Sequence, residues 1–300
     1  MSSLRSIVQK PAHRAYPLLG DREISKIYGR HGPLEVHLTF RKIDLLKAMR
    51  LRYEIFYEEM SAKPKTLDRI FRLDRDPYDK ICEHLLVFDT RPQKYFFPNS
   101  RGFKAIATYR MLHEDVAKKT LGFYTQREYD LGSLLKAKSP HYRFMELGRS
   151  CVRKEYRSKR CIELLWQGLW SYAQEQDIDV MIGCASFDGT DPLKYAQALS
   201  YLYHYAVPQN DWRCKAHTHL YYPMNLLPKE KVRIDEALKQ MPPLIKGYLR
   251  LGAFVGEGAV IDKEFGTTDV LIILPIEKIN PRYFEYFGHP EEFKLKKQAA

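Results

Sequence analysis

The stretch that decides the fold is residues 145–161, MELGRSCVRKEYRSKRC. Its first half is apolar enough for a buried strand, yet it carries Glu146 and Arg149. A run of basic residues follows, and apolar side chains then recur at three-and-four spacing over residues 161–174, which is typical of an amphipathic helix. Because charged residues within apolar strands are unusual, this strand predicts a functional site as well as a central element of the sheet.

The segments on either side predict a mixed sheet. Apolar runs and alternation predict strands over residues 34–40, 84–88, 104–109, 180–187, 253–261 and 268–276. Helical spacing begins near residue 43 and recurs over residues 192–205 and 242–251. This order indicates an α/β (α+β) protein with one layered domain. We place an N-terminal arm at residues 1–33, the domain at residues 34–287 and a C-terminal tail at residues 288–300.

The charge balance favours an acidic partner. Lys and Arg number 49 against 37 Asp and Glu in 300 residues, a net charge of +12. Nucleic acid, an anionic membrane surface and an acidic carrier protein all fit this excess. We expect no nucleic-acid binding, because no nucleic-acid motif is present and the basic residues do not interleave with aromatic ones as in stacking modules.

The cysteines and the apolar runs indicate the cellular compartment in which the protein is expected to work. Five cysteines form no C-x-x-C pair, which argues against a disulfide framework and for a reducing compartment. No apolar run approaches the roughly 20 residues that a membrane span needs. We therefore expect a cytoplasmic protein that contacts the inner face of the cytoplasmic membrane at most peripherally, through basic residues of the arm (Arg5, Lys10, Arg14, Arg22, Lys26 and Arg30).

Several stretches resemble known acyltransferases. The basic segment 152–162 and the helix after it resemble the GNAT superfamily, in which this loop binds the phosphate groups of an acyl thioester. More closely, FMELGRSC (144–151), GCASFDG (183–189) and PPLIKGYLRLG (242–252) resemble the bacterial L-ornithine N-alpha-acyltransferases. The resemblance implies a GNAT-like, mostly antiparallel central sheet flanked by helices. It also implies transfer of a (3-hydroxy)fatty acyl group from acyl carrier protein to the α-amine of L-ornithine, giving lyso-ornithine lipid.

A second resemblance covers the N-terminal half. The polar set of the acyl-homoserine lactone synthases is matched in order and type by Arg52 with Phe56, Asp76, Asp79, Arg110, Glu146 and Arg149. The tryptophan that those enzymes carry shortly after the Arg/Phe pair is missing, since Glu58-Glu59-Met60 stands there. An acyl-homoserine lactone synthase, or an N-acyltransferase for another amino acid, is therefore the alternative. The resemblance implies that Arg52, Asp76, Asp79 and Arg110 bind the acceptor.

Attack of an amine on a thioester needs a base and an oxyanion site, but neither a metal nor a bound cofactor. Glu146 is the predicted base, and Arg149 lies beside it in the sequence. On a regular strand, residues three apart point to opposite faces. Glycine within a strand often marks a bulge, so we predict a bulge at Gly148 that brings both side chains to one site and frees an N–H for the thioester carbonyl. The competing interpretation is a Glu that only anchors the strand through a pairing with Arg149.

The basic run predicts where the donor binds. A helix that begins near Ser158 offers unpaired N–H groups to a phosphate. No glycine lies between Arg149 and Trp166 to let the backbone approach a pyrophosphate, so we infer acyl-phosphopantetheine on acyl carrier protein as the donor. The predicted binding and docking residues are Arg153, Lys154, Arg157, Ser158, Lys159 and Arg160. A solvated basic turn is the alternative.

One segment resembles a partial metal site. Cys214, His217 and His219 lie close together in the sequence, but no further ligand at zinc spacing accompanies them. We therefore predict no metal.

Overall fold

A computed structural model describes residues 26–39, 41–60, 62–92 and 103–279. The strands are β1 Lys26–His31, β2 Leu34–Thr39, β3 Glu83–Asp89, β4 Lys104–His113, β5 Tyr129–Asp130, β6 Phe144–Val152, β7 Val180–Asp188, β8 Lys215–Ala216, β9 Phe254–Val255, β10 Val260–Asp262 and β11 Thr267–Pro275. The helices are α1 Lys42–Tyr53, α2 Thr66–Phe71, α3 Glu114–Ala117, α4 Gly132–Lys138, α5 Lys159–Glu175, α6 Ala196–Tyr205, α7 Ile234–Gln240 and α8 Pro243–Leu251. A π-helical segment, Glu54–Glu59, continues α1.

Nine of the described strands form one sheet. Its order is β1-β2-β3-β4-β6-β7-β11-β10, and β9 pairs with β11 beside this path. The pairing of β6 with β7 is parallel, whereas the other pairs in the sheet are antiparallel. The predicted mostly antiparallel central sheet flanked by helices is therefore confirmed.

Different elements pack on the two faces of the sheet. Alternate residues of a strand point to opposite faces, so Met145 and Leu147 of β6 pack with Leu165 and Leu169 of α5 in the larger core. Helices α6 and α8 pack on this same core. Phe144 of β6 points to the other face and packs in a smaller core with residues 123–134. Helix α1 covers another part of this second face, which also carries the polar side chains described below.

The predicted arm is partly a strand. Residues 26–31, which the sequence assigns to the arm, form β1 and pair with β2 at the edge of the sheet. Most of β1 is exposed or half-buried, so backbone pairing rather than an apolar pattern holds it. That is why its sequence shows no period. Residues 1–25 and the predicted tail at 288–300 lie outside the described residues.

The parallel pairing at the centre of the sheet is short. β6 and β7 pair only from Phe144 with Val180 to Glu146 with Ile182, although both strands continue. At the next position, a Cβ added to Gly183 would lie 2.2 Å from the Leu147 carbonyl oxygen. Glycine at position 183 thus allows the two backbones to approach closely at the point where their pairing ends.

We expect Gly183→Ala to destabilise the fold. The new methyl group would meet a backbone oxygen, which cannot move as a side chain can, so the free energy of unfolding should fall by about 1–3 kcal/mol. Gly247→Ala is the matched control, because an added Cβ there meets nothing within 4 Å. It should instead stabilise α8 by about 0.5–1 kcal/mol. Urea denaturation measures both changes, and equal stabilities for the two variants would contradict the close approach.

Candidate active site

Three arginines from three elements meet three aspartates from one loop on the second face of the sheet. The arginines are Arg52 in α1, Arg110 in β4 and Arg149 in β6, and the aspartates are Asp74, Asp76 and Asp79. We call these six residues the Arg/Asp network. Asp74 is a member that the sequence analysis missed, although it lies two residues before Asp76.

Arg52 forms the buried end of the Arg/Asp network. Its Nη1 and Nη2 donate to the two carboxylate oxygens of Asp79 at 2.8 and 2.9 Å, and its Nε lies 2.7 Å from Asp74 Oδ2. Arg52 is 0% exposed. Burial alone would raise the pKa of Asp79, but the charge and hydrogen bonds of Arg52 hold that pKa well below its usual range. Arg52 therefore holds Asp74 and Asp79 in place from within the core.

Arg110 and Arg149 form the other end. Arg110 Nη1 donates to Asp76 Oδ1 at 2.7 Å, while Arg149 donates from Nε to Asp74 Oδ2 at 3.2 Å and from Nη2 to Asp76 Oδ2 at 3.1 Å. The guanidinium of Arg149 also lies 5.1 Å from the Tyr124 ring centre and 4.7 Å from that of Phe265. These contacts fix the planes of both guanidinium groups.

The loop that carries the aspartates is held by its own sequence. Asp76 caps a turn of 3-10 helix over residues 77–80: its Oδ1 accepts from Tyr78 N at 2.8 Å, and Asp79 Oδ2 accepts from Asp76 N at 2.9 Å. Pro77 presets the first position of the turn. The turn thereby aims both carboxylates at the arginines.

The predicted break in β6 is present. Arg110 pairs with Gly148 and Thr108 with Cys151, so Arg149 and Ser150 together oppose the single residue Tyr109. The predicted site of the bulge was Gly148, but the residue with left-handed backbone is Arg149, whose φ is 52°. The bulge turns Arg149 to the second face, which Glu146 also occupies.

Glu146 is buried between β4 and β7. It is 5% exposed, and its two carboxylate oxygens accept from Tyr124 N at 2.8 Å and Thr125 N at 2.6 Å. Burial raises the pKa of Glu146, and these hydrogen bonds oppose the rise. Arg149 binds Asp74 and Asp76, so the competing interpretation, an anchoring pair with Glu146, is not the arrangement seen. The side chain of Thr125 also donates to Glu146 and opposes the rise in its pKa.

Space is open beside these groups. A Cβ added to Gly148 would find only Arg110 Nε, at 4.0 Å. The side-chain position of Gly148 is therefore unfilled, and apart from its chain neighbours the nearest atom is Arg110 Nε.

The basic segment lies where the sequence predicts. Ser158 caps α5, which begins at Lys159, so the prediction of a helix starting near Ser158 is confirmed. Arg157 Nη2 donates to Glu59 Oε2 at 2.9 Å, and Arg153 contacts Glu54 at 2.5 Å. Within the segment, Lys154, Ser158, Lys159 and Arg160 are exposed. Part of the basic run thus ties β6 to the π-helical segment, and part faces solvent.

Two further groups bear on metals. Cys214 Sγ donates to the Asp130 carbonyl at 3.2 Å, and His217 Nε2 lies 2.9 Å from the Gln126 carbonyl oxygen. A second group was missed in the sequence because its members lie far apart in the chain. Glu128, Asp262 and Asp269 each offer a carboxylate oxygen, and these oxygens all lie within 4.8 Å of one another.

Known proteins match most of the chain. The Acetyltransferase (GNAT) domain family matches residues 51–167. An L-ornithine N(alpha)-acyltransferase of Brucella abortus (strain 2308) is 49% identical over 262 residues, which are 87% of this chain and 91% of that protein. A second, of Rhizobium meliloti (strain 1021), is 47% identical over 264 residues, 88% of this chain and 87% of that protein. The chain belongs to the L-ornithine N(alpha)-acyltransferase family. It is therefore an acyltransferase, and the resemblance stated from the sequence is confirmed.

Solved structures show more distant likenesses. FeeM, an N-acyl amino acid synthase from uncultured soil microbes, is 10% identical, with a TM-score of 0.45 over 81% of this chain and 91% of its own. The AHL synthase LasI is 15% identical, with a TM-score of 0.42 over 82% of this chain and 90% of its own. Neither likeness is close enough to assign an activity.

The stretch that matches the acetyltransferase family contains the residues of this site. Arg52, Arg110, Glu146 and Arg149 all fall within the matched acetyltransferase stretch, residues 51–167. Among the helices that the structure describes, none has the length and apolar character to cross a bilayer.

Proposed function

We propose that this protein transfers a (3-hydroxy)fatty acyl group from acyl carrier protein to the α-amine of L-ornithine, forming lyso-ornithine lipid. The observation that carries the proposal is the buried carboxylate of Glu146, next to the open space at Gly148, in a chain 45–49% identical to three L-ornithine N(alpha)-acyltransferases. A carboxylate and a gap where two strands part suit an amine and a thioester that must meet away from bulk water.

The reaction proceeds by direct attack. The amine nitrogen forms a bond to the thioester carbon, and its proton passes to Glu146, directly or through one water. The C–S bond of the tetrahedral intermediate then breaks, and the phosphopantetheine thiolate leaves and takes up the proton held by Glu146. A base whose pKa is raised toward the working pH accepts that proton more readily than an exposed glutamate would. No covalent enzyme intermediate is needed.

The oxyanion and the acceptor carboxylate need donors. Backbone N–H groups at the bulge of Gly148 and Arg149 are the candidates for the oxyanion. Arg110, whose Nε is the atom nearest the unfilled side-chain position of Gly148, and Arg149 are the candidates for the α-carboxylate of the acceptor. A guanidinium can bind a carboxylate with two N–H groups. Asp76 and Asp79 already accept from arginines, so their proposed role is to hold those guanidinium groups in place.

The donor side uses the start of α5. The phosphate of phosphopantetheine would bind at Ser158 and the first N–H groups of the helix, where the helix dipole favours an anion. The exposed cations Lys154, Lys159 and Arg160 would then face the acidic surface of acyl carrier protein. Arg153 and Arg157 would support this surface through their contacts with the π-helical segment.

Charge reversal at this surface tests the carrier-protein donor. The double variant Lys154→Glu/Arg160→Glu should raise the KM for acyl-acyl carrier protein about tenfold, because repulsion slows encounter with an acidic partner. The KM for a small acyl-pantetheine donor should not change. Lys136→Glu, on the exposed side of α4, is the control. Steady-state kinetics at low salt give the comparison, and an unchanged KM for the carrier protein would rule out docking here.

Product analysis tests the proposed function itself. Purified protein is incubated with acyl carrier protein loaded with 3-hydroxyacyl chains and an equimolar mixture of amino acids, and the products are identified by mass spectrometry. We expect N-acylornithine as the main product. Acylation of a different amino acid, or an acyl-homoserine lactone formed when S-adenosylmethionine is added, would overturn the proposal in favour of the alternatives.

The membrane contact is a separate part of the proposal. An amphiphilic product would leave most easily into the inner leaflet, and the basic arm could lie against its anionic lipids. Of the six cations assigned to this arm, Lys26 and Arg30 belong to β1, and the other four lie outside the described residues.

A further inference from the structure

Three carboxylates form a group beside the proposed active site. Glu128 follows the turn at residues 124–127, Asp262 ends β10, and Asp269 lies in β11. One carboxylate oxygen from each lies within 4.8 Å of the other two. We call these three residues the acidic triad. Like charges this close repel one another unless a cation lies among them.

The acidic triad contains carboxylate oxygens that lack partners. Asp269 is 6% exposed, and its Oδ1 has no hydrogen-bond partner among the described residues. Oε2 of Glu128 is also buried and unpaired within the same part of the chain. Buried polar atoms are normally hydrogen-bonded, and an unpaired one calls for a specific explanation. Two such oxygens in one cluster are explained by a ligand that carries several N–H groups.

The charge state of the acidic triad agrees with this geometry. Burial, together with the charge of Asp269, raises the pKa of Glu128 to about 7. Burial likewise raises the pKa of Asp269 to about 6, and the neighbouring Ser186 and Thr267 side chains oppose the rise. Carboxyl groups in this state gain charge when a cation enters, so the triad suits a cationic ligand.

The acidic triad is tied to both reactive groups. Glu128 ends the short segment whose N–H groups, from Tyr124 and Thr125, bind Glu146. On the other side, Asp262 Oδ1 accepts from Phe265 N at 2.9 Å, and the Phe265 ring lies against the guanidinium of Arg149. The segment 124–128 therefore connects the triad to Glu146, and the Phe265 side chain connects it to Arg149 at the bulge.

We propose that Glu128, Asp262 and Asp269 bind the distal ammonium of a diamino acid acceptor and so select it over acceptors with one amine. This inference rests on the proposed function and assigns the acceptor's second charge to residues that no resemblance indicated. The α-carboxylate would lie toward Arg110 and Arg149, the α-amine at Glu146, and the side-chain ammonium at the acidic triad.

The chemistry of an alkylammonium fits the triad. It has three N–H donors, one for each carboxylate. Charge-assisted N–H···O bonds of about 2.8 Å around a tetrahedral nitrogen place their oxygens about 4.6 Å apart. A small divalent metal needs oxygens in closer contact, at bond lengths of about 2.1 Å for Mg²⁺, and usually keeps several waters. The spread of up to 4.8 Å in the triad accommodates the ammonium.

Charge-removing variants and a matched pair of acceptors test this inference. The variants are Glu128→Gln and Asp269→Asn, and the acceptors are ornithine and norvaline, which has the same carbon chain without the terminal amine. Wild-type protein should prefer ornithine by about 100-fold or more in kcat/KM, because an unfilled triad penalises norvaline. Each variant should lower kcat/KM for ornithine about 10–100-fold and leave that for norvaline within about threefold.

Controls separate recognition from folding. Asp235→Asn removes an exposed carboxylate, 72% accessible on α7, and should leave both acceptors unaffected. Thermal unfolding should show the triad variants at least as stable as wild type, because they relieve repulsion. A variant that loses both acceptors equally would overturn the inference, as would wild-type protein that acylates both equally well.

Two measurements distinguish ammonium binding at the triad from a failure of acyl transfer and from metal binding. If wild-type protein acylates neither acceptor, the proposed function fails, and calorimetric binding of free ornithine and norvaline then decides the inference alone. Ornithine binding that the Glu128 and Asp269 variants abolish would support it, and no binding would overturn it. If EDTA removes activity and Mg²⁺, Mn²⁺ or Ca²⁺ restores it in wild type but not in the triad variants, the triad is a metal site and the inference is wrong.

Discussion

Glu146→Gln is expected to lower kcat/KM for acyl transfer about 10²–10⁴-fold at pH 7, the range that general bases contribute. Glutamine keeps the size of the side chain and an oxygen that can accept from either Tyr124 N or Thr125 N, but it loses the other hydrogen bond and cannot take a proton. Steady-state kinetics with a saturating acyl donor measure the loss. Glu114→Gln is the control, because Glu114 is a buried glutamate at the start of α3, outside the proposed site.

The pH dependence distinguishes a base from a structural role. An α-amine titrates near 8 in model peptides, so its free form becomes abundant as the pH rises from 7 to 9. The deficit of Glu146→Gln should therefore narrow over that range. In wild type, kcat/KM should fall toward acid pH below the pKa of Glu146, which burial raises above its ordinary value. An equal loss at every pH would show that the side chain only anchors the segment after Phe123.

Arg52→Met is expected to cause the largest loss of stability, about 3–5 kcal/mol in the free energy of unfolding at neutral pH. The substitution removes one partner of a buried ion pair and leaves Asp79 with an uncompensated charge. Arg110 Nη1, at 3.4 Å from Asp79, compensates only in part. Urea denaturation measures the change. Arg233→Met is the control, because its pair with Glu236 is exposed and should contribute less than about 1 kcal/mol.

The same variant should respond to pH in a defined direction. In wild type the pKa of Asp79 is depressed, so its contribution to stability is present above the ordinary aspartate pKa and is lost as the pH falls through the folded-state value. Without Arg52, burial would raise the pKa of Asp79, and protonation would relieve the penalty. The deficit of Arg52→Met should therefore shrink between pH 7 and about pH 4. A constant deficit would mean that lost packing, not charge, explains it.

The parts of the fold with clear periodicity were predictable. β6, the basic turn and α5 could be read from residues 144–175 because burial on both faces of a strand and on one face of a helix leaves distinct patterns. β1 could not, because an edge strand needs only backbone pairing. The short β9 and β10 replace one longer predicted strand over residues 253–261, since Gly256 and Gly258 interrupt it.

The site was predictable to the extent that its residues are near in sequence. Glu146, Gly148 and Arg149 lie together in one strand, and a bulge followed from the need to place two charges on one face. The position of the left-handed residue did not follow, since glycine, not arginine, favours that backbone. The acidic triad joins Glu128 to two residues more than 130 positions later in the chain. The pairing of β11 with β10 and β7, and the path of the segment at Tyr124, bring the three together.

The backbone of Arg149 has a mechanical consequence. Left-handed backbone geometry at a residue with a Cβ costs about 1–2 kcal/mol. If β6 lacked the extra residue of the bulge, the Arg149 side chain would point to the face that α5 covers. Contacts with Asp74 and Asp76 hold it against that tendency. Asp74 and Asp76 thus hold β6 in its bulged register. Loss of their contacts with Arg149 should let β6 shift its register against β4 before the sheet unfolds.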